Sequence, residues 1–246
     1  MKFSPANTKL KKLEKKTGRK VYSFDLLSGH TCPGAKDCLA RVDYDEQTDS
    51  YSLYDGPHQR FRCYSASQEM QYTNVYNHRL ANWESVSEQR SAKQIFAHLD
   101  RNLPTDAETV RIHSAGDFAK KQYFKAWILL AQKHPEKIFY AYTKMNPFWV
   151  YFRDIIPDNM ILTASRGGKW DNLIDEHNLR ECVVVYSEQE AHDLGLPIDQ
   201  DDSHAADLSK RNQNFALVIH GSQQSGSEAS KAWTKIKRER HNEQKA

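Results

Sequence analysis

Thr109-Val-Arg-Ile-His113, a helix-patterned stretch from Asp117 to His134, and Lys137-Ile-Phe-Tyr-Ala-Tyr-Thr143 decide the fold between them. The first run reads as a short strand. In the second, Phe124, Trp127, Ile128 and Ala131 recur at helical spacing on one face, and Pro135 closes it. The third is a continuous apolar run, as expected of a strand buried on both faces in a parallel sheet.

Working outward, the same rhythm repeats toward the C-terminus. Asn146-Pro147 places an N-cap and a first-turn proline before a helix over Phe148 to Ile155. Asn159 to Thr163 reads as a strand, Lys169 to His177 as a helix, and Glu181 to Tyr186 as another strand. Ser187 with Glu190, and Ser225 with Glu228, have the form of capping boxes opening two further helices. The last strand spans Asn214 to His220. Five strand–helix units in series argue for a parallel sheet with right-handed crossovers. A sixth strand fits upstream, at Val21 to Leu27. Between it and Thr109 lies an insertion, from about 28 to 108, holding a cysteine loop, a tyrosine-rich stretch and a helix from Ser85 to Asn102. Six such strands build either a partial (β/α)6 barrel or an open doubly wound sheet. No Gly-x-Gly-x-x-Gly follows the first strand, which argues against the dinucleotide-binding version. The expected organisation is a basic segment over 1–20 and a single α/β domain over 21–242.

Composition narrows the class. The 246 residues carry a formal charge of only +3, with 27% charged residues and a mean hydropathy of −0.81. No stretch approaches the roughly 18 apolar residues of a membrane span. Met1 to Lys20 is basic but lacks the apolar region of a secretory signal. The expectation is therefore a cytoplasmic protein with no membrane partner. Charge gathers at the two ends, in Lys9, Lys11, Lys12, Lys15, Lys16, Arg19 and Lys20, and in Lys231, Lys235, Lys237, Arg238 and Arg240. Such runs are either solvated faces or contacts to a phosphate backbone.

Cysteine placement carries the chemistry. Five residues separate Cys32 from Cys38, and 24 separate Cys38 from Cys63. Four cysteines in all are too few for a disulfide scaffold of this size. Three thiolates in a Gly- and Pro-containing loop suit a [4Fe–4S] cluster with one open iron. They equally suit zinc, should His30 or His58 complete the set, or they are unrelated buried cysteines. Cys182, inside an apolar strand, reads as a core residue.

Ligands of parallel α/β sheets gather at the carboxyl ends of the strands. Here those ends are polar: His30 and the cysteine loop, Ser114-Ala-Gly-Asp117, Thr143-Lys144, Ser165-Arg166, Ser187-Glu188 and His220-Gly-Ser-Gln-Gln224. Gly116 would let backbone approach a ligand, and Asp117 would either bind it or N-cap the following helix. Lys144 and Arg166 are candidates to hold a carboxylate or phosphate. Tyr64, Tyr72 and Tyr76 either stack on bases or pack in the core.

Cys-Pro-Gly-x3-Cys, the later Cys-Tyr-Ser-Ala, Arg-Ile-His-Ser-Ala-Gly-Asp-Phe, Tyr123, Trp127 and Phe-Tyr-Ala-Tyr-Thr-Lys together resemble the phage gene product 88 family. The match runs from about Ser23 to Lys144, and more weakly near His220. A more distant resemblance is to radical S-adenosylmethionine enzymes. They are partial (β/α)6 barrels with cluster cysteines after the first strand and a Gly-Gly-Glu-like segment ending the second. That resemblance implies Cys32, Cys38 and Cys63 as cluster ligands. It implies Ser114, Gly116 and Asp117 as contacts to S-adenosylmethionine, with Ser165 and Arg166 holding its ribose or carboxylate. Asp117, Lys144 and His220 would then do the catalytic work on a nucleotide or nucleic acid in the infected host cell. Two other expectations stand beside it: a zinc-dependent barrel enzyme acting on a nucleobase, and a zinc-stabilised nucleic-acid-binding protein without catalysis.

Overall fold

Trp127 is the centre of the core. It has no exposed surface, and its ring meets Phe24 at 5.6 Å, Phe3 at 6.1 Å and Phe139 at 6.3 Å, each edge to face. Edge-to-face packing of this kind follows from the ring quadrupole. Burial of each such side chain stabilises the fold by about 1.5–3 kcal/mol.

The computed structural model describes residues 1–243. In chain order the elements are β1 (Ser4–Pro5), α1 (Thr8–Thr17), β2 (Val21–Phe24), the hairpin β3 (Ala40–Asp45) and β4 (Ser50–Asp55), α2 (Tyr64–Gln71), α3 (Thr73–Ser87) and α4 (Ala92–Asn102). There follow β5 (Thr109–Ile112), α5 (Lys121–Lys133), β6 (Ile138–Thr143), α6 (Asn146–Phe152), β7 (Met160–Ser165), α7 (Asn172–Glu176), β8 (Glu181–Val185), α8 (Glu188–Asp193), β9 (Phe215–Val218) and α9 (Glu228–Glu243).

One seven-stranded sheet runs β1-β2-β5-β6-β7-β8-β9. β1 is antiparallel to β2 and every other pairing is parallel. The strand order never reverses, so the sheet lacks the switch point of a doubly wound fold. Register decides what each face carries. Val110 lies beside Phe139 and Phe139 beside Met160, while Ile112, Ala141 and Leu162 form the next row. Those rows pack on Val86 of α3, Ile95 and Leu99 of α4, the apolar face of α5, and Phe152 of α6. The opposite face presents Tyr140, Ile161, Cys182 and Phe215, and is covered by Leu10 and Leu13 of α1 with Ala205 and Ala206.

The basic N-terminal segment therefore holds structure. Asn7 caps α1 by accepting from the Lys9 and Leu10 amides, both at 3.0 Å, and Gly18 ends it at φ 68°. A polar oxygen at the cap and an achiral residue in the left-handed region are the usual solutions for orphaned helix-end groups. Leu10 and Leu13 turn inward while Lys11, Lys12, Lys15 and Lys16 stay on the solvent side.

Several local expectations are corrected. The helix expected from Asp117 begins at Lys121, because the Asp117 carboxylate is committed to the neighbouring strand. Asp117 is thus not its N-cap. The expected helix from Ser85 to Asn102 is two helices, and the cap of the second is Ser91 with Gln94. Asn146 is inside α6 rather than its cap, and Ser227, not Ser225, accepts from Ser230 at the start of α9. The β3–β4 hairpin was not foreseen: its alternation, Ala40, Val42 inward against Arg41, Asp43 outward, is short and mostly polar.

Candidate functional site

Glycines bring the insertion onto the rim of the sheet. A Cβ on Gly34 would lie 2.5 Å from the Lys144 carbonyl oxygen, and one on Gly29 would lie 2.4 Å from the Ala40 carbonyl. No side chain fits at such approaches, so the cysteine loop rests backbone to backbone against the end of β6. It also pairs with the turn after β7. The Lys169 amide donates to Gly34 at 2.9 Å and the Asp37 amide to Gly167 at 2.9 Å, and Ala35 bridges Gly168.

The Cys63 segment arrives by a different route. The Arg60 and Phe61 amides both donate to the Asp37 carbonyl, at 2.7 and 3.1 Å, next to Cys38. The Arg62 amide donates to Gln223 at 2.7 Å, and the Gln223 amide returns a bond to the Arg62 carbonyl. Gly221 packs on Tyr64, where a Cβ would come within 2.7 Å. The loop after β9 thus clamps Cys63 beside the loop after β2.

Cys32, Cys38 and Cys63 consequently share one neighbourhood. Burial raises the Cys32 thiol well above a free cysteine, and Asp117, Cys63 and Cys38 add to the rise. Burial pushes Cys38 to about 11, opposed by Lys144 and reinforced by Cys63 and Asp117. Among the described residues, no group of three or more His, Cys, Asp or Glu side chains is arranged so that it could hold a metal ion. The sulfurs are neighbours, not a closed ligand set. The two histidines considered with them are elsewhere. His30 Nε2 lies 3.0 Å from the Val42 carbonyl and 3.0 Å from Asp43, and His58 is exposed. Cys182 is a buried core residue.

The Ser114–Asp117 turn stands opposite. Gly116 has φ 84°, and a Cβ there would strike Thr31 Oγ1 at 2.6 Å. Asp117 accepts from Thr143 Oγ1 at 2.7 Å, the Phe118 amide at 2.7 Å and the Lys144 amide at 2.8 Å. Its role in the fold is to tie the end of β5 to the end of β6. Burial raises its carboxyl above the usual range, and those three bonds pull it back. Ser114 Oγ is buried with no hydrogen-bond partner.

Lys144, Ser165 and Arg166 are largely engaged already. Lys144 Nζ donates to the Ser165 carbonyl at 2.7 Å, Ser165 Oγ at 3.0 Å and the Arg166 carbonyl at 2.8 Å, which uses all three of its protons. Arg166 turns away to Glu181 and Asp175. His220 is exposed, and its ring lies tilted at 49° against Tyr64, with centroids 4.8 Å apart. Surrounding protein, with Lys9 and Arg111, lowers it to about 4. Tyr76 packs in the core against Tyr51, whereas Tyr72 is half exposed.

Two positioning groups, Asp25 and Glu69, escaped the sequence reading. Asp25 Oδ1 accepts from the Ser114 amide at 2.5 Å and the Ala115 amide at 3.3 Å, holding the turn from the end of β2. Glu69, fully buried, accepts from the Ser28 amide, Ser28 Oγ and Arg79 Nη1, and so fixes the start of the cysteine loop. His113 has φ 69° and lies 2.8 Å from the Tyr123 hydroxyl. The available signals were an acid ending an apolar strand and an Arg–Glu pair ten residues apart, and neither distinguishes these residues from surface charge.

A mostly parallel seven-stranded sheet, with polar residues gathered at its carboxyl rim, defines a mixed α/β protein. The chain belongs to the family described as Gene product 88, whose pattern matches residues 1–242. No curated protein and no solved structure shows a significant match to it. Among the described residues no helix is long and apolar enough to cross a membrane.

Proposed function

We propose that this chain is a metal-dependent enzyme whose centre is held by Cys32, Cys38 and Cys63 at the carboxyl rim of a partial (β/α)6 barrel. The observation that supports this reading is the backbone docking of two separate segments, through Gly34 and the Asp37 carbonyl, that sets the loop of Cys32 and Cys38 against the segment leading to Cys63. The unreversed strand order is the winding such a barrel requires. The fit lies in the donor chemistry, since three neighbouring thiols with no histidine beside them suit iron–sulfur ligation. His30, spent on the hairpin, counts against a four-ligand zinc site.

A [4Fe–4S] centre would supply single-electron reduction of a ligand such as S-adenosylmethionine. Around it, Ser114 Oγ offers the free hydrogen bond and Gly116 lets the backbone approach. Asp117 keeps the ends of β5 and β6 together, and His220 with Tyr64 offers an angled aromatic wall for a nucleobase. A nucleotide or nucleic acid is the substrate class that fits this wall and the basic ends.

The test is iron and sulfide quantification, with a visible spectrum, on anaerobically purified and reconstituted protein. About four irons per chain are expected for a [4Fe–4S] site. Iron-free protein after reconstitution overturns the reading. Stoichiometric zinc, with Asp117→Asn folded but inactive on a nucleobase, would instead establish the zinc enzyme. Zinc with strongly salt-dependent nucleic-acid binding that survives Asp117→Asn would establish the binding protein.

A further inference from the structure

The face of the sheet that α1 covers contains a charged cluster that no part of the proposed metal chemistry uses. Asp202 has no exposed surface. Its carboxylate accepts from Arg111 Nη1 at 2.5 Å, Lys9 Nζ at 2.6 Å, Tyr140 OH at 2.9 Å and Tyr142 OH at 3.2 Å. Arg111 and Tyr140 are register neighbours on β5 and β6, and Arg111 also lies over the Tyr142 ring at 5.1 Å. Two cations and two phenols thus converge on one oxyanion.

The acceptor and its donors differ in kind. Every donor is on a strand or helix: α1, β5 or β6. Asp202 comes from a segment between α8 and β9 with neither strand nor α-helix, and it takes φ 64°, which a non-glycine residue seldom adopts. The nearby carboxylate of Asp199 is spent within its own loop, on the Asp201 and Ala205 amides. The donors alone would leave the Arg111 charge buried and the Lys9 charge partly so, and Asp202 cancels only one of the two. Such a network is weak evidence for stability, because apolar packing of the same volume does as well. Access exists on the α1 side, where the Lys9 side chain is 32% exposed. Arg111 Nε also donates to the His113 carbonyl at 3.3 Å, at the end of β5 that leads into the Ser114–Asp117 turn.

We propose that Lys9, Arg111, Tyr140 and Tyr142 form an oxyanion subsite for a phosphate- or carboxylate-bearing ligand, and that Asp202 is its internal occupant, displaced as the ligand enters. The inference is independent of which metal, if any, the cysteines hold. A planar guanidinium with two phenols and an ammonium recognises either anion, so the probes must separate them.

The experiment uses the full chain at constant ionic strength, with inorganic phosphate and acetate titrated against chloride. Asp202→Ala is expected to bind one of the two saturably and about tenfold more tightly than the wild type. Phosphate preference would mark a phosphorylated ligand, and acetate preference a carboxylate. Folded Asp202→Ala that binds neither anion above chloride overturns the proposal. In the wild type, saturating anion should speed amide hydrogen exchange over 199–206 as Asp202 is released, and Lys9→Ala should weaken that effect. Unchanged exchange over that segment overturns the proposal even if Asp202→Ala fails to fold.

Discussion

Gly34 and Lys144 meet backbone to backbone, so closely that a Cβ on Gly34 would stand 2.5 Å from the Lys144 carbonyl oxygen. This contact joins the cysteine loop to the strand whose other neighbour is the Asp117 turn. Gly34→Ala should push the loop off the rim, with about 1–3 kcal/mol lost to overpacking. Denaturant unfolding would register the loss, and iron bound per chain after reconstitution should fall with it. Wild-type values on both counts would mean that the contact does not hold the loop.

Asp25 makes the corresponding link on the other side, through the Ser114 and Ala115 amides. Hydrogen bonds to an ionised acceptor contribute about 1.5–3 kcal/mol, and Asp25→Ala should lose at least that. Asp25→Asn keeps one acceptor oxygen and should lose less. The two urea midpoints, compared with Ser23→Ala, provide the check.

Glu69 and Arg79 are almost fully buried together, at 0% and 6% side-chain exposure. Glu69→Gln strands the Arg79 charge inside the protein and should cost about 3–5 kcal/mol. Pairing it with Arg79→Met should recover much of that loss. A double variant as unstable as the sum of the singles would show that the two residues act separately.

His113 sets the response to acid. Burial, with Arg111 beside it, lowers its folded pKa to about 3, against about 6.5 in an unfolded chain. Above pH 6.5 both states are neutral there and nothing is lost. As pH falls from 6.5 toward 3, the unfolded chain takes up a proton that the native ring refuses. Stability should then drop by up to about 4–5 kcal/mol. Asp202, lowered to about 2 by Arg111 and Lys9 against its burial, is a later contributor, lost only as pH falls below about 4. His113→Asn, which tolerates a positive φ, should flatten the slope between pH 6.5 and 4 in urea titrations. An unaltered slope would place the acid sensitivity elsewhere.

Much of the fold was legible in the chain. The parallel strands announced themselves as apolar runs, and the helices after them as faces at 3.6-residue spacing, because both signals are local. The register that separates Val110 and Ile112 from Arg111 follows from the same alternation. Cap positions were less legible. Asp117, Asn146 and Ser225 all have cap chemistry, and in each case a competing partner or a neighbouring residue prevailed.

By itself, then, the sequence determined a mostly parallel α/β sheet, polar strand ends, and three cysteines within an insertion after the first parallel strand. Tertiary structure alone decided that Cys63 returns beside Cys38, through contacts from residues as distant as Gln223. It alone placed α1 and Asp202 on the sheet face opposite α5, where Arg111 waits inside an apolar strand. The physical reason is that strand and helix periodicity are written by neighbours in the chain, whereas a backbone contact at a glycine or a buried ion pair depends on a partner that no local pattern encodes.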